Sequence, residues 1–123
     1  MGTYEVNSDF GTKVSVTVEG TMRKIISNAI PNHSIGTFPN PGNPNTVSAQ
    51  DRTWEIYITP TLSTEPRWAR EPGVAVNGIK LEPETAERFV CETGEVYRIE
   101  AMEGFLDFGL DKNHAHVQPT GEY

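Results

Sequence analysis

The sequence predicts a single, mainly β domain over residues 1–123: an antiparallel β-sandwich or twisted sheet with a long Asn/Pro-rich loop and one short helix. Three observations carry this expectation. Two segments alternate apolar and polar residues at period two, an Asn-Gly dipeptide separates two further apolar runs, and only one stretch has helical character. The length of 123 residues suits one domain with one modest core.

In 13–19, Val14, Val16 and Val18 fall on one face, with Ser15 and Thr17 on the other. In 53–60, Trp54, Ile56 and Ile58 share a face. β-branched and aromatic residues at this spacing make half-buried strands. Gly73-Val74-Ala75-Val76 and Ile79-Lys80-Leu81 flank Asn77-Gly78, which predicts a hairpin with a type I′ turn, because both residues tolerate positive φ. Residues 96–102 read as a further strand. Residues 83–89 predict the helix, about two turns, with Pro83 in its first turn and Glu84 near the positive end of its dipole. The stretch 28–50 cannot form a regular ladder, since Pro31, Pro39, Pro41 and Pro44 lack donors and Asn28, Asn32, Asn40, Asn43 and Asn45 favour turns. A loop this long either covers one end of the sheet or builds a site.

The net charge of −7 repels phosphate backbones and anionic membranes, so nucleic acid is not an expected partner. No run reaches the roughly 20 apolar residues of a membrane helix, so membrane insertion is not expected either. Cys91 is the single cysteine and lies beside Glu92, which disfavours a thiolate; a packed residue is the expectation. The start Met1-Gly2-Thr3 has neither the basic nor the apolar region of a signal peptide. No glycine-rich phosphate loop and no Gly-x-Ser-x-Gly elbow is present, and neither a nucleotide nor an organic cofactor is indicated.

The candidate chemistry lies in Asp111-Lys112-Asn113-His114-Ala115-His116-Val117-Gln118-Pro119. In an extended chain, residues i and i+2 share a face, so His114, His116 and Gln118 would point to one side and Ala115 and Val117 to the other. Paired imidazoles on a strand are half of a typical zinc or copper site. Asp111 would add an oxygen ligand or orient one ring, and His33 would come in from the long loop. The simpler alternative is a surface pair of polar residues on an exposed strand. Trp54 and Trp68 could each stack on a sugar, but Trp54 is more simply core, leaving Trp68 beside Arg67 and Arg70 as the exposed candidate.

The run from Asp111 to Tyr123 resembles the segment leading into the Tyr-His-Tyr-His signature of the YHYH-domain family. Ser27-Asn28-Ala29-Ile30-Pro31-Asn32-His33, continuing through Gly36-Thr37-Phe38-Pro39-Asn40 to Gln50, is similar to the same family. So is Gly73-Val74-Ala75-Val76-Asn77-Gly78 with Glu82-Pro83 and Thr85-Ala86-Glu87. The resemblance implies a mostly β, typically exported protein, extracellular or periplasmic, with metal binding suspected from its histidines. It marks Asn32, His33, Asp111, Asn113, His116, Gln118 and Gly121 as site positions, with Tyr123 as the first Tyr of the signature. The chain ends there, so the expectation is a domain cut within its signature motif, holding at most part of any metal site. A C-terminal strand left as an open edge would favour homodimers or edge-strand pairing.

Three readings stand open from the sequence. The first is a secreted-type β domain that binds copper or zinc without established catalysis, through His114, His116, His33 and Asp111. The second is a structural or adhesive β module whose histidines hold the fold. The third is a metal-dependent hydrolase or oxidase, with metal-activated water and Asp111 as base; whether the protein is an enzyme is not fixed by the sequence.

Overall fold

The structure is a computed structural model that describes residues 2–83 and 85–123. Its frame is a four-stranded antiparallel meander of β1 (Tyr4–Asn7), β2 (Lys13–Glu19), β3 (Met22–Ser27) and β4 (Arg52–Tyr57), in that spatial order. Two separate two-stranded ladders follow: β5 (Gly73–Val74) with β6 (Lys80–Leu81), and β7 (Arg88–Val90) with β8 (Val96–Arg98). The fold is mainly β and antiparallel, as the alternation predicts.

Register explains where the core sits. Tyr4, Val16, Ile25 and Trp54 line up as one row across all four strands. Val6, Val14, Ser27 and Arg52 form the next row. Both rows face the same side, and Val14, Val16 and Ile25 are buried there, with Tyr4, Val6, Trp54 and Val74 packed against them. The β5–β6 hairpin supplies Val74 and caps this face. Its turn lies against the sheet: the Ser27 hydroxyl donates to Gly78 O at 2.9 Å. A Cβ on Gly78 would overlap the side chains of Ser27 and Val14, and Gly78 has φ +79°. Glycine is required here for close approach as well as for dihedral freedom.

Four sequence expectations change in detail. The hairpin turn is not type I′. Gly78 N donates to Ala75 O and Ala75 N donates to Ile79 O, and of Asn77 and Gly78 only Gly78 has positive φ. This is a type I turn closed by a glycine bulge, which twists the short strands correctly with one more residue. The short helix is not formed among the described residues. Arg88–Val90 is strand β7, and the preceding chain is tied to β8 by Thr85 Oγ1 donating to Ile99 O and Arg98 donating to Thr85 O. Cross-strand pairing outweighs the propensity of a two-turn helix, which is marginal alone; Glu84 lies outside the described residues. The strand expected over 96–102 stops at Arg98 and gives way to turns.

The fourth change concerns the C-terminal segment, which is not a strand. It consists of two tight loops. His114 N donates to Asp111 O while Asp111 N donates to Ala115 O, and Gly121 N donates to Gln118 O while Gln118 N donates to Glu122 O. Both repeat the β5–β6 turn geometry, with a positive-φ residue in fourth place: His114 (φ +56°) and Gly121 (φ +87°). The i, i+2 argument therefore fails at His114, because a left-handed residue breaks the alternation. With no strand there, the open C-terminal edge expected from the sequence is absent.

The 28–50 stretch packs against this segment through its asparagines. The Asn43 and Asn45 side-chain amides both donate to Val117 O, at 2.9 and 2.8 Å. Asn40 Nδ2 donates to Gly109 O, and Ser48 N to Gly121 O. Val117 is buried, as expected of the apolar side of the segment.

Candidate functional site

Two polar centres lie where the C-terminal segment meets the rest of the chain. The first is built on Asp111. Its carboxylate accepts five hydrogen bonds: from Gly36 N (2.9 Å), Tyr123 Oη (2.9 Å), Asn113 N (2.8 Å), Asn113 Nδ2 (3.3 Å) and Ala115 N (3.3 Å). Gly36 must be glycine for this approach, since a Cβ there would stand 2.5 Å from Asp111 Cβ. Burial alone would raise the Asp111 pKa, but the donors from Gly36, Asn113, Tyr123 and Ala115 outweigh it and hold the carboxyl below its usual range. Tyr123 is buried, with its ring edge-on to His33 and Phe38 at 6.1 and 6.4 Å. Burial above all pushes its phenol up to about 12; the Asn113 amide opposes it, and the Asp111 carboxylate adds to the rise. His33 is anchored by Nδ1 to Ser34 O, and Asn113 Nδ2 reaches the same carbonyl. Asn32 stands apart, accepting from the Asn77 amide in the β5–β6 turn.

The second centre is an ionic network under the core face. Lys80 Nζ, whose side chain is 8% exposed, lies 3.0 Å from Glu82, 3.4 Å from Glu122 and 3.9 Å from Glu71. Arg52 Nη2 donates to both Glu71 oxygens at 2.8 Å, and its Nη1 donates to Glu122 at 3.2 Å. Its guanidinium also lies 5.0 Å above the Trp54 ring, whose Nε1 donates to Glu71. Arg70 pairs with Glu82 at 2.8 Å. Glu71 and Glu82 are both held below the usual carboxylate range: burial would raise them, but the bonds from Trp54 and Arg52, and from Arg70 and Lys80, prevail. One oxygen of the buried Glu122, Oε1, has no partner among the described residues.

His116 joins this network. Its Nδ1–H donates to Phe108 O (3.3 Å), which leaves Nε2 to accept from the Gln118 amide (3.2 Å), and that amide also donates to Glu82. The ring stands edge-on to Phe108. His114 goes elsewhere: it is exposed and lines a shallow hollow with Met102, Leu106 and Phe108.

The structure therefore brings His33, Asp111, Asn113 and Tyr123 together, and separately His116 with Gln118. It does not bring His33, His114 and His116 to one point, and their contacts differ. Among the described residues, no group of three or more His, Cys, Asp or Glu side chains stands close enough to hold a metal ion. The residues present do not fit a transition-metal centre of the usual three or four ligands. Sequence reasoning missed Arg52, Glu71, Lys80, Glu82 and Glu122. A signal existed: Arg52-x-Trp54 and Lys80-x-Glu82 each put a charge at i, i+2 spacing on a strand that otherwise reads as core-facing.

A small antiparallel β domain with two polar centres clamped by its C-terminal segment is the class this geometry defines. The family model for YHYH protein matches residues 53–123, more than half of the chain, and the chain belongs to the YHYH family. The matched region takes in the ionic network from Trp54 onward and the Asp111, Asn113 and Tyr123 side of the first centre; the 28–50 stretch, with Gly36 and His33, lies outside it. No curated protein and no solved structure matches the chain.

Proposed function

We propose that this chain is a structural or adhesive β module whose histidines and Asn-rich stretch serve the fold, rather than a copper or zinc carrier. The observation that carries this reading is the His116 ring, both of whose nitrogens are engaged by Phe108 O and Gln118. A metal on that ring would first have to displace one of these bonds. Asp111, the oxygen ligand the metal reading needs, has both oxygens taken by the chain's own donors. Buried polar side chains in irregular segments ordinarily satisfy backbone groups in this way. As an exported adhesive module it would act through its exposed side chains, with no demand on a bound ion.

The test is a set of thermal melts on the parent, His116→Ala and His33→Ala proteins, each with chelator and with excess Zn²⁺ or Cu²⁺. The structural reading expects His116→Ala to melt lower by the same margin with and without metal. A metal-dependent rise in the parent's melting temperature that vanishes in either variant would overturn it.

A further inference from the structure

We infer that the outer edge of β7, with the aromatic face beside it, is a docking site for an extended basic segment of a partner protein. The segment adds to the β7–β8 ladder as a third strand and carries lysine or arginine at every second residue. No histidine takes part, so the site stands or falls independently of the module reading.

The first observation is an open edge. Cys91 N donates to Glu95 O, and Ile99 N donates to Glu87 O. Phe89 and Tyr97 lie opposite each other midway between those two pairs. Hydrogen-bonded and non-hydrogen-bonded pairs alternate along an antiparallel ladder, so Arg88 and Val90 turn their N–H and C=O groups away from β8. The sheet ends at these two strands, and among the described residues no backbone group of another segment meets those outward groups. Arg88, Phe89 and Val90 are all exposed. A two-stranded ladder is marginal in water, and its unpaired edge is a template for a further strand. Strand addition of this kind is a common way to bind an extended peptide.

The second observation is that the two faces of the ladder differ in chemistry. Register puts Phe89 and Tyr97 on one face, with Glu87 and Glu95 at its two ends. Phe105 enlarges this platform, its ring edge-on to Phe89 at 6.3 Å. The three aromatic residues are 49%, 58% and 66% exposed, in the order Phe89, Tyr97, Phe105. Cations settle over aromatic faces and pair with carboxylates beside them, and exposed aromatic residues anchor interfaces. Arg88 and Val90 project from the opposite face. A strand laid along β7 alternates its side chains between the two faces. Cationic residues fit the aromatic side, whereas on the other side a cation would stand beside Arg88 and be repelled. The alternation therefore selects a segment basic on one side and uncharged on the other. A second copy of this chain is a poor occupant, because each copy carries a net charge of −7.

The experiment titrates a peptide alternating threonine and lysine, about nine residues long as a strand requires, into the folded protein. Calorimetry at low and high salt reads affinity, and NMR amide hydrogen exchange reads the edge. One comparison peptide has glutamate for lysine; another has proline for threonine, keeping the charge but losing every second donor. The proposal expects saturable binding of the Thr-Lys peptide that weakens with salt and slows exchange at the Arg88 and Val90 amides. Both comparison peptides should bind at least roughly tenfold more weakly, as should the Thr-Lys peptide to Val90→Pro, which removes an outward donor and spares the ladder bonds. Glu87→Gln should weaken binding about threefold and lessen its salt dependence. Far-UV circular dichroism checks the fold of each variant; if Val90→Pro does not fold, the exchange pattern of the parent decides. No saturable binding, equal binding of either comparison peptide, or binding without slowed exchange at Arg88 and Val90 overturns the proposal. Slowed exchange that grows with protein concentration in the absence of peptide also overturns it, by assigning the edge to a second copy.

Discussion

Replacing Asp111 by Ala should cost this domain about 3–4 kcal/mol. The figure comes from which of the five hydrogen bonds water can replace. The bonds from Asn113 and Ala115 are local to the turn and in part exposed. Those from Gly36 N and Tyr123 Oη join the turn to distant segments at partly buried positions. A hydrogen bond to a charged group contributes roughly 1.5–3 kcal/mol, and an orphaned buried donor costs about 1–3 kcal/mol, so two such bonds near the lower bound give the estimate. That is a large share of the 5–15 kcal/mol typical of a domain. Asp111→Asn keeps the shape and one acceptor and should cost about half as much. The pH dependence gives a second handle. The folded pKa of Asp111 is depressed, so its contribution is present above the unfolded carboxylate range, near pH 4, and is lost as pH falls through the folded value. Urea unfolding of the parent and both variants at pH 7 and pH 3 reads both effects. Asp111→Asn should lose less stability than the parent between those pH values, though not none, because Glu71 and Glu82 are depressed as well. A loss below about 1 kcal/mol for Asp111→Ala, or an unchanged acid dependence in Asp111→Asn, would refute the reasoning.

The other expectations follow from single contacts. Lys80→Met should destabilise by about 1.5–3 kcal/mol in denaturant melts, because it removes the buried cation shared by Glu71, Glu82 and Glu122 while Arg52 and Arg70 still pair with them. His114→Gly should be no less stable than the parent, whereas His114→Val should lose about 1–2 kcal/mol, since a β-branched residue resists the left-handed backbone. Tyr123 has a raised folded pKa of about 12; its contribution is whole below the unfolded value near 10 and is lost as pH rises through 12, so base unfolding should begin near pH 10 and shift in Tyr123→Phe.

Much of the frame was legible in the sequence, and the reason is periodicity. Val14, Val16 and Val18 define β2 over the residues found, and Trp54 marks the core face of β4. What alternation cannot show is how far a face is covered. Val18, Ile56 and Ile58 have the right parity but are 40%, 39% and 38% exposed, because the β5–β6 hairpin caps only the end of the sheet near Val14 and Ser27. Asn77-Gly78 located a hairpin correctly but not its turn type, which depends on one extra residue in the loop. The C-terminal error has a single cause. The extended reading of Asp111 to Gln118 assumed no left-handed residue, and His114 takes a position that Gly78 and Gly121 take in the equivalent turns. The family resemblance marked Asp111, Tyr123 and His33 among its site positions without grouping them, and the Gly36 N–Asp111 bond that helps to assemble the centre joins residues 75 positions apart, beyond any local pattern. The ionic network was missed because charged residues on short strands read as solvent-facing until a hairpin folds over them.

The central claim is that His33 and His116 serve the fold, and calorimetric titration of Zn²⁺ and Cu²⁺ into the chelator-treated protein at pH 7.5 tests it most directly. The account predicts no stoichiometric uptake at submicromolar affinity. Near one equivalent bound at that affinity, and lost in His116→Ala or His33→Ala variants that remain folded, would contradict it.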